Sequence, residues 1–308
     1  MNPKPDPKPV LIVGSMAFDD LELPSGKFDD VVGGSATYAS MATSLFAPAR
    51  VVAVVGDDFP DATLSKLSTR GVDVTGVERA AGKTFRWAGR YAQNLSSRTT
   101  LDTQLNVFAD FRPKLPAGYE SSEFLLLGNI HPALQLEVLD AAKQAKFVAA
   151  DTMNFWIDGE RPLLEKLLSR IDTLVINDEE LRQLGQEHNV CRAAKRVQAM
   201  GPKRLVVKRG EYGAMLFDEH GIFFAPAYPL EDEVDPTGAG DTFAGALLGY
   251  LAREQVLDQG TLRRSLLMAA TVASFCVEGV GTTRIGEISR DDVAHRLEAL
   301  RTLVHFGQ

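Results

Sequence analysis

Cysteine is nearly missing from this chain: Cys191 and Cys276 are the only two in 308 residues, and neither has ligand-type neighbours. That excludes a disulfide framework and a cysteine-built zinc site, and it suits a reducing compartment. The five histidines do not cluster either. No apolar run approaches the roughly 20 residues that a membrane-spanning helix needs. Met1-Asn2-Pro3-Lys4-Pro5-Asp6-Pro7-Lys8-Pro9 is polar and proline-rich, without the apolar stretch of a signal peptide. Residues 1–9 are therefore expected to form a flexible arm, and the protein to be cytoplasmic. Positive charge is in deficit, with 33 Lys and Arg against 41 Asp and Glu and a formal net charge of -8. No nucleic-acid or membrane partner is expected from such a balance. An anionic ligand would have to be attracted locally, by helix ends, a few basic side chains and a metal ion.

What is present is ordinary globular material, 45% hydrophobic and 24% charged, in a length that suits one large α/β domain or two smaller ones. Apolar, β-branched runs at 10–14, 51–55, 124–128, 147–151, 173–177 and 205–208 predict buried strands. Helical patterns fall between them at 35–46, 61–70, 132–145, 161–170 and 192–200. This alternation implies right-handed crossovers and a mainly parallel sheet covered on both faces. The last third predicts helices over 241–253, 262–277 and 290–303. Ser289 is a good N-cap for the last, with Asp291 and Asp292 favourable in its first turn. Two segments break the rhythm. Residues 18–32 are polar, and residues 84–112 carry strand-like runs at 84–91 and 103–108 around a turn at Asn94-Leu95-Ser96-Ser97. They predict a small β subdomain inserted into the α/β body.

The most informative stretch is Asp235-Pro236-Thr237-Gly238-Ala239-Gly240-Asp241, placed just ahead of a buried helix whose Phe243, Leu247, Tyr250 and Leu251 recur at helical spacing. Glycines let the backbone turn sharply, and the first N–H groups of a helix lack internal partners and carry partial positive charge. Together they form a cradle for an anion, most naturally a phosphate. A carboxylate at its mouth, Asp241, is placed to accept a proton from an attacking hydroxyl. A P-loop is excluded because Asp241-Thr242 follow Gly240 where Lys-Ser/Thr is required. A dinucleotide fingerprint is excluded because Phe243 stands where its third small residue belongs. The competing reading makes Asp241 only a helix N-cap.

The stretch from 235 to 248 resembles the C-terminal signature of the PfkB/ribokinase family of carbohydrate and nucleoside kinases. Val32-Gly33-Gly34-Ser35-Ala36-Thr37-Tyr38-Ala39 and Val51-Val52-Ala53-Val54-Val55-Gly56-Asp57-Asp58-Phe59 are similar to the family's N-terminal elements. The order of elements is alike over nearly the full length. The resemblance implies a ribokinase-like three-layer α/β sandwich over 10–308, with lid segments at about 18–32 and 84–112. In the family this lid closes over the substrate and often joins a homodimer. The implied activity is transfer of the γ-phosphoryl of ATP, with Mg²⁺, to a hydroxyl of a small sugar. A nucleoside is the alternative acceptor, and a non-catalytic ligand-binding or regulatory member is the rival from another class.

Residue by residue, the resemblance implies Asp241 as general base and the backbone of Gly238, Ala239, Gly240 and Asp241 as anion hole, with Thr237 beside the nucleotide. Asn177-Asp178-Glu179-Glu180 resembles the family's Asn-x-x-Glu motif, with Asn177 toward the phosphates and Glu180 toward Mg²⁺, acting through water. The bland alternative is that acids there favour a helix start. Lys208-Arg209-Gly210 stands where many members have Thr-Leu-Gly, so Lys208, Gly210 and Gly213 are expected along the nucleotide. Asp19 is expected to hold acceptor hydroxyls; an ionised carboxylate accepts two hydroxyl bonds and suits a vicinal diol. Gly33 and Gly34 would let the acceptor lie against bare backbone. Ala17 and Tyr38 each occupy a position usually held by a sugar-binding Asn. Asn129, near a sheet edge, is a further candidate contact, whereas His131 is expected to be structural. Residues 275–281 are expected near adenine and 151–156 on the acceptor side. The lid aromatics Phe85, Trp87, Tyr91 and Phe108 leave two readings open, stacking on a nucleobase or burying the lid itself.

Overall fold

Strand β1 (Val10–Val13) alternates its side chains between two buried faces, and this alternation organises the whole body. Val10 and Ile12 join one core cluster, Leu11 and Val13 the other. The computed structural model describes residues 5–305. After β1 come β2 (Ala17–Leu23), β3 (Gly26–Gly33), α1 (Ser35–Ser44), β4 (Ala49–Val55), α2 (Asp61–Thr69) and β5 (Val72–Arg79). Next are β6 (Phe85–Tyr91), β7 (Arg98–Gln104), β8 (Phe124–Leu127), α3 (Pro132–Ala141), β9 (Phe147–Asp151), α4 (Asn154–Gly159) and α5 (Arg161–Leu168). The chain continues with β10 (Thr173–Asn177), α6 (Asp178–Gly185), α7 (Val190–Gln198), β11 (Arg204–Lys208), β12 (Ala214–Asp218) and β13 (Gly221–Ala225). It ends with α8 (Ala239–Glu254), α9 (Gln259–Cys276) and α10 (Arg290–Leu303).

Nine strands form the main sheet in the order β13-β12-β11-β10-β9-β8-β1-β4-β5, and the seven from β11 to β5 run parallel. Helices α1, α8 and α9 contribute to the core on one face, and α3, α5, α6 and α7 to that on the other. The fold is the expected ribokinase-like α/β sandwich, with a separate four-stranded sheet in the order β3-β2-β6-β7. Segments 18–32 and 84–112 therefore do meet in one small subdomain. Its details differ from the sequence reading. Residues 18–32 are not a polar connection but the hairpin β2–β3, and the second strand of 84–112 starts at Arg98 rather than Thr103. Residues 106–110 instead form a 3₁₀ turn, because Phe108 folds back to stack between Phe85 and Phe111 at 5.3 and 5.5 Å. Strands β5, β12 and β13 and helix α4 were not foreseen, whereas α6 is the helix start that the acids at 178–180 offered as the alternative.

Packing of α1 on α8 sets the position of the site. Gly245 lies against Ala39, where an added Cβ would sit 2.1 Å from the Ala39 carbonyl oxygen, and Thr43 donates its hydroxyl to the Gly245 carbonyl at 2.8 Å. The close crossing fixes where α8 begins. Its first turn opens at the C-terminal edge of the parallel strands, the ligand edge of such sheets. The arm expected over 1–9 lies partly outside the described residues. Its described part is tied down, since Lys8 N–H reaches the Ala252 carbonyl at 3.1 Å and Gln255 reaches the Asp6 carbonyl at 2.8 Å. No helix among the described residues is long and apolar enough to cross a membrane.

Candidate active site

Gly238 ends the loop 235–238 in the left-handed region, with φ 74°, and α8 starts at the next residue. A side chain there would be strained, and its Cβ would meet the Tyr38 ring at 2.4 Å. Of the four donors expected in the cradle, Ala239 N–H turns back to the Pro236 carbonyl at 3.2 Å. The N–H groups of Gly238, Gly240 and Asp241 have no acceptor among the described residues. They are the orphan donors of a helix start, gathered where an anion can take them.

The loop is braced from below and above. Asp235 is fully buried, and its carboxylate accepts N–H bonds from Thr237 at 2.9 Å and Gly281 at 2.8 Å. From the lid, the Tyr91 hydroxyl accepts the Thr237 hydroxyl at 2.9 Å. Tyr38 is placed otherwise than expected: it is 1% exposed and packs its ring under Gly238 instead of lining an open acceptor surface. Its hydroxyl is buried without a hydrogen-bond partner, and burial together with the nearby Asp19 charge pushes its pKa up. Residues 275–281 likewise brace the loop, through the Gly281 N–H and a Cys276 thiol 3.7 Å from the Thr237 carbonyl.

Asp241 sits in the first turn of α8 and keeps partial contact with solvent. Enclosure raises its pKa to about 7, the Asp151 charge adds to that, and Lys208 and Arg98 pull it back. It is poised to take a proton near neutrality. Lys208 ends β11 and pairs with Asp151, which ends β9, at 2.9 Å. Its ammonium lies close behind the loop, 2.9 Å from where a Cβ on Gly240 would stand. Burial disfavours its charge, but the Asp151, Glu180 and Asp241 charges outweigh this and raise its pKa. Asn177 and Glu180 form a reciprocal capping box on α6: Asn177 accepts from Glu180 N–H at 2.8 Å, and Glu180 accepts from Asn177 N–H at 3.1 Å. The structural alternative is thus realised for both. The Glu180 carboxyl, 8% exposed, is raised to about 7 by burial and by Asp151, with Lys208 opposing.

On the acceptor side, Asp19 projects from β2 against Gly33 of β3, where a Cβ would lie 1.9 Å from its carboxylate. Gly34, at φ 93°, packs against Ser15 and Met16. Both glycines are thus accounted for by contacts within the protein. Burial, aided by Asp235 and Asp241, lifts Asp19 to about 8. This upward shift favours the protonated acid over the ionised carboxylate expected from sequence. Asn129 has both ends of its amide engaged, accepting from the Trp156 indole at 2.9 Å and approaching the Met153 sulfur at 3.1 Å. His131 caps α3, accepting from Ala133 N–H at 3.1 Å. Gly213 is required by the approach of Ala225, 2.1 Å from its would-be Cβ, whereas Gly210 faces open space. Phe85 and Phe108 stack on each other, which favours the reading in which they bury the lid.

Two features escaped the sequence. The Lys208–Asp151 pair joins strands separated by β10, a neighbour relation only the sheet order supplies. Arg98 lies directly after the foreseen turn, opposite Tyr91. Its position past a hairpin turn was a usable signal.

Comparison with known proteins agrees with this geometry. The sequence profile of the pfkB family carbohydrate kinases matches residues 10–288. A cytidine kinase of Thermococcus kodakarensis is 31% identical over 258 residues, spanning 81% of this chain and 91% of that protein. Among solved structures, a putative ribokinase II from E. coli in complex with ATP and Mg²⁺ superimposes with a TM-score of 0.79 at 20% identity, covering 95% of this chain and 99% of that one. A nucleoside kinase of Burkholderia thailandensis in complex with inosine gives 0.76 at 18% identity, covering 94% and 97%.

Proposed function

The chain belongs to the pfkB family of carbohydrate kinases, and within it we propose that it moves the γ-phosphoryl of ATP onto a hydroxyl of a nucleoside, the ribose being the part held by Asp19. The observation that carries this reading is the convergence of two enclosed acids on one phosphate cradle, with the Asp241 charge felt at Asp19. The likeness to a cytidine kinase favours a nucleoside over a free sugar. A simple pentose is the second reading, since Asp19 would hold its diol equally well.

In this scheme Asp241 takes the proton of the attacking hydroxyl. The N–H groups of Gly238, Gly240 and Asp241 neutralise charge on the transferring group, the kind of preorganised stabilisation that dominates phosphoryl transfer. Lys208 adds positive charge behind the cradle. A protonated Asp19 can both donate to and accept from neighbouring hydroxyls. For Mg²⁺, the oxygen donors of Glu180 and Asp151 suit a hard cation that keeps most of its waters. No cluster of three or more side-chain ligands occurs among the described residues, so phosphate oxygens and water would complete the shell. When bound, the ion supplies charge neutralisation on the phosphates. A homodimer through the lid accompanies the proposal, because β7 leaves an unpaired edge with Leu101 44% exposed.

The test is ADP release measured across nucleosides, pentoses, hexoses and sugar acids, with Asp241→Asn as control. A nucleoside turned over at least tenfold more efficiently than any free sugar supports the reading. Preference for a free sugar would replace the acceptor, and no ADP release with any of them would remove the activity.

A further inference from the structure

Arg98 is the first residue of β7, placed by the short link in which Ala92 N–H bonds the Ser97 carbonyl at 2.9 Å, and it pairs across the hairpin with Tyr91. Its guanidinium lies 5.8 Å from the centroid of the Trp87 ring, and as the cross-strand partner of Tyr91 it shares that residue's face of the hairpin. The Tyr91 hydroxyl oxygen accepts from Thr237 at 2.9 Å. Arg98 is thus the cross-strand neighbour of the phenol that is hydrogen-bonded to the cradle loop. Among the described residues Arg98 has no carboxylate within ion-pair distance, although arginine offers five donors. Its charge is nevertheless sensed by acids on three different elements: Asp19 of β2, Glu180 of α6 and Asp241 of α8. An unpaired cation beside Tyr91 therefore sits next to the cradle loop, within electrostatic reach of all three acids.

We propose that Arg98 is a catalytic residue supplied by the lid, held by Tyr91 over the cradle so that its guanidinium binds the phosphoryl group in transfer. This rests on the phosphotransfer reading above. In the step, the acceptor oxygen forms a bond to the γ-phosphorus as the bond to the ADP oxygen breaks. The hydroxyl proton passes to Asp241, while Arg98 exchanges no proton and forms no covalent bond. Its planar donors match two phosphoryl oxygens at once. Docking through Tyr91 would also make the charge arrive only when the lid is seated, so that ATP without acceptor is left largely intact.

The experiment compares Arg98→Met with the unaltered protein in two ways. Calorimetry without acceptor measures ATP against ADP: loss of roughly tenfold in ATP affinity with ADP affinity unchanged is expected, because only ATP carries the γ-group. With the best acceptor, kcat should fall roughly 100-fold or more, the scale of losing a transition-state donor, with partial recovery on adding guanidinium ion. Position 98 lies on an exposed strand face, so the substitution leaves the core untouched. An unchanged ratio of ATP to ADP affinity, or a kcat within threefold of normal, overturns the proposal while the kinase reading stands. A loss confined to KM for acidic acceptors overturns it as well, assigning Arg98 to the acceptor. Failure of the unaltered protein to bind ATP at all would instead remove the underlying phosphotransfer reading.

Discussion

The donor half and the acceptor half of this site are built from different materials. Around the phosphate cradle the working groups are main-chain N–H donors, fixed by a left-handed Gly238, by the start of α8 and by buried Asp235. On the proposed acceptor side the group is a side chain, Asp19 on β2, while Tyr91 and Arg98 of the small sheet lie beside the cradle loop. A backbone cradle tolerates few sequences, because the turn and the close approach of Tyr38 leave space for nothing larger than glycine. A side-chain site can be rebuilt by single replacements. In the proposed function the cradle handles the phosphoryl group, and Asp19 bears on which molecule receives it.

The sharpest break of this contrast removes the one side chain on which the donor half depends. Asp241→Asn should lower kcat by about 10³-fold, within the usual range for a general base, while nucleotide affinity changes little. Near-normal turnover in a folded variant would return Asp241 to a helix-cap role. Gly238→Ala tests the backbone itself. It places a Cβ in the Tyr38 ring and holds a non-glycine residue at φ 74°, a strain of about 1–2 kcal/mol before any clash. Turnover should drop about 10²-fold and the melting temperature should fall. Adding Tyr38→Leu should restore part of both; no recovery would mean the ring is not what the loop rests on.

Lys208→Met asks whether the donor half also needs a side-chain cation. Since Lys208 pulls down the pKa of Asp241, which enclosure raises to about 7, its removal should move the acid limb of the pH–rate profile to higher pH. The variant should lose about tenfold near neutrality and recover in part in more alkaline buffer. A uniform loss at every pH would make Lys208 a phosphate contact without influence on the base.

The same contrast explains what could be read from sequence. The cradle is contiguous, from Asp235 to Asp241, and its glycines, acids and following apolar period all report one local geometry. The parallel sheet was legible for the same reason, since buried strands such as 147–151 and 173–177 are apolar along their whole length. The side chains gathered around the cradle depend on distances in space. Lys208 finds Asp151 only because β10 lies between their strands, and Arg98 reaches the site only because the lid sheet folds over it. Tyr38 was expected among the acceptor contacts, and its ring instead packs under Gly238. A helix position fixes which residues are neighbours along the chain, whereas the face that a side chain presents depends on the crossing of α1 and α8.

Asp19→Asn has the smallest expected effect on the reaction and isolates the acceptor half by stability. The folded protein raises Asp19 to about 8, well above the ordinary carboxylate value of about 3.9. Between those values the native state binds a proton that the unfolded chain has released, so the wild-type protein loses stability as pH rises through the window. The amide cannot ionise and escapes this loss. The variant should therefore be more stable than wild type at pH 8, by on the order of a few kcal/mol at about 1.4 kcal/mol per pKa unit. The difference should shrink steadily toward pH 4. Asp235, Glu180 and Asp241 are shifted in the same direction in both proteins, and for Asp235 and Asp241 only the part of their titration that responds to the Asp19 charge differs between them. Melting curves from pH 4 to 8 provide the measurement, alongside KM for the acceptor, which should rise because an amide matches the hydroxyls less well than a carboxyl. A stability gap that is constant with pH would mean that Asp19 is ionised in the folded protein. The acceptor would then meet a carboxylate, and the site would suit a diol as a pure donor.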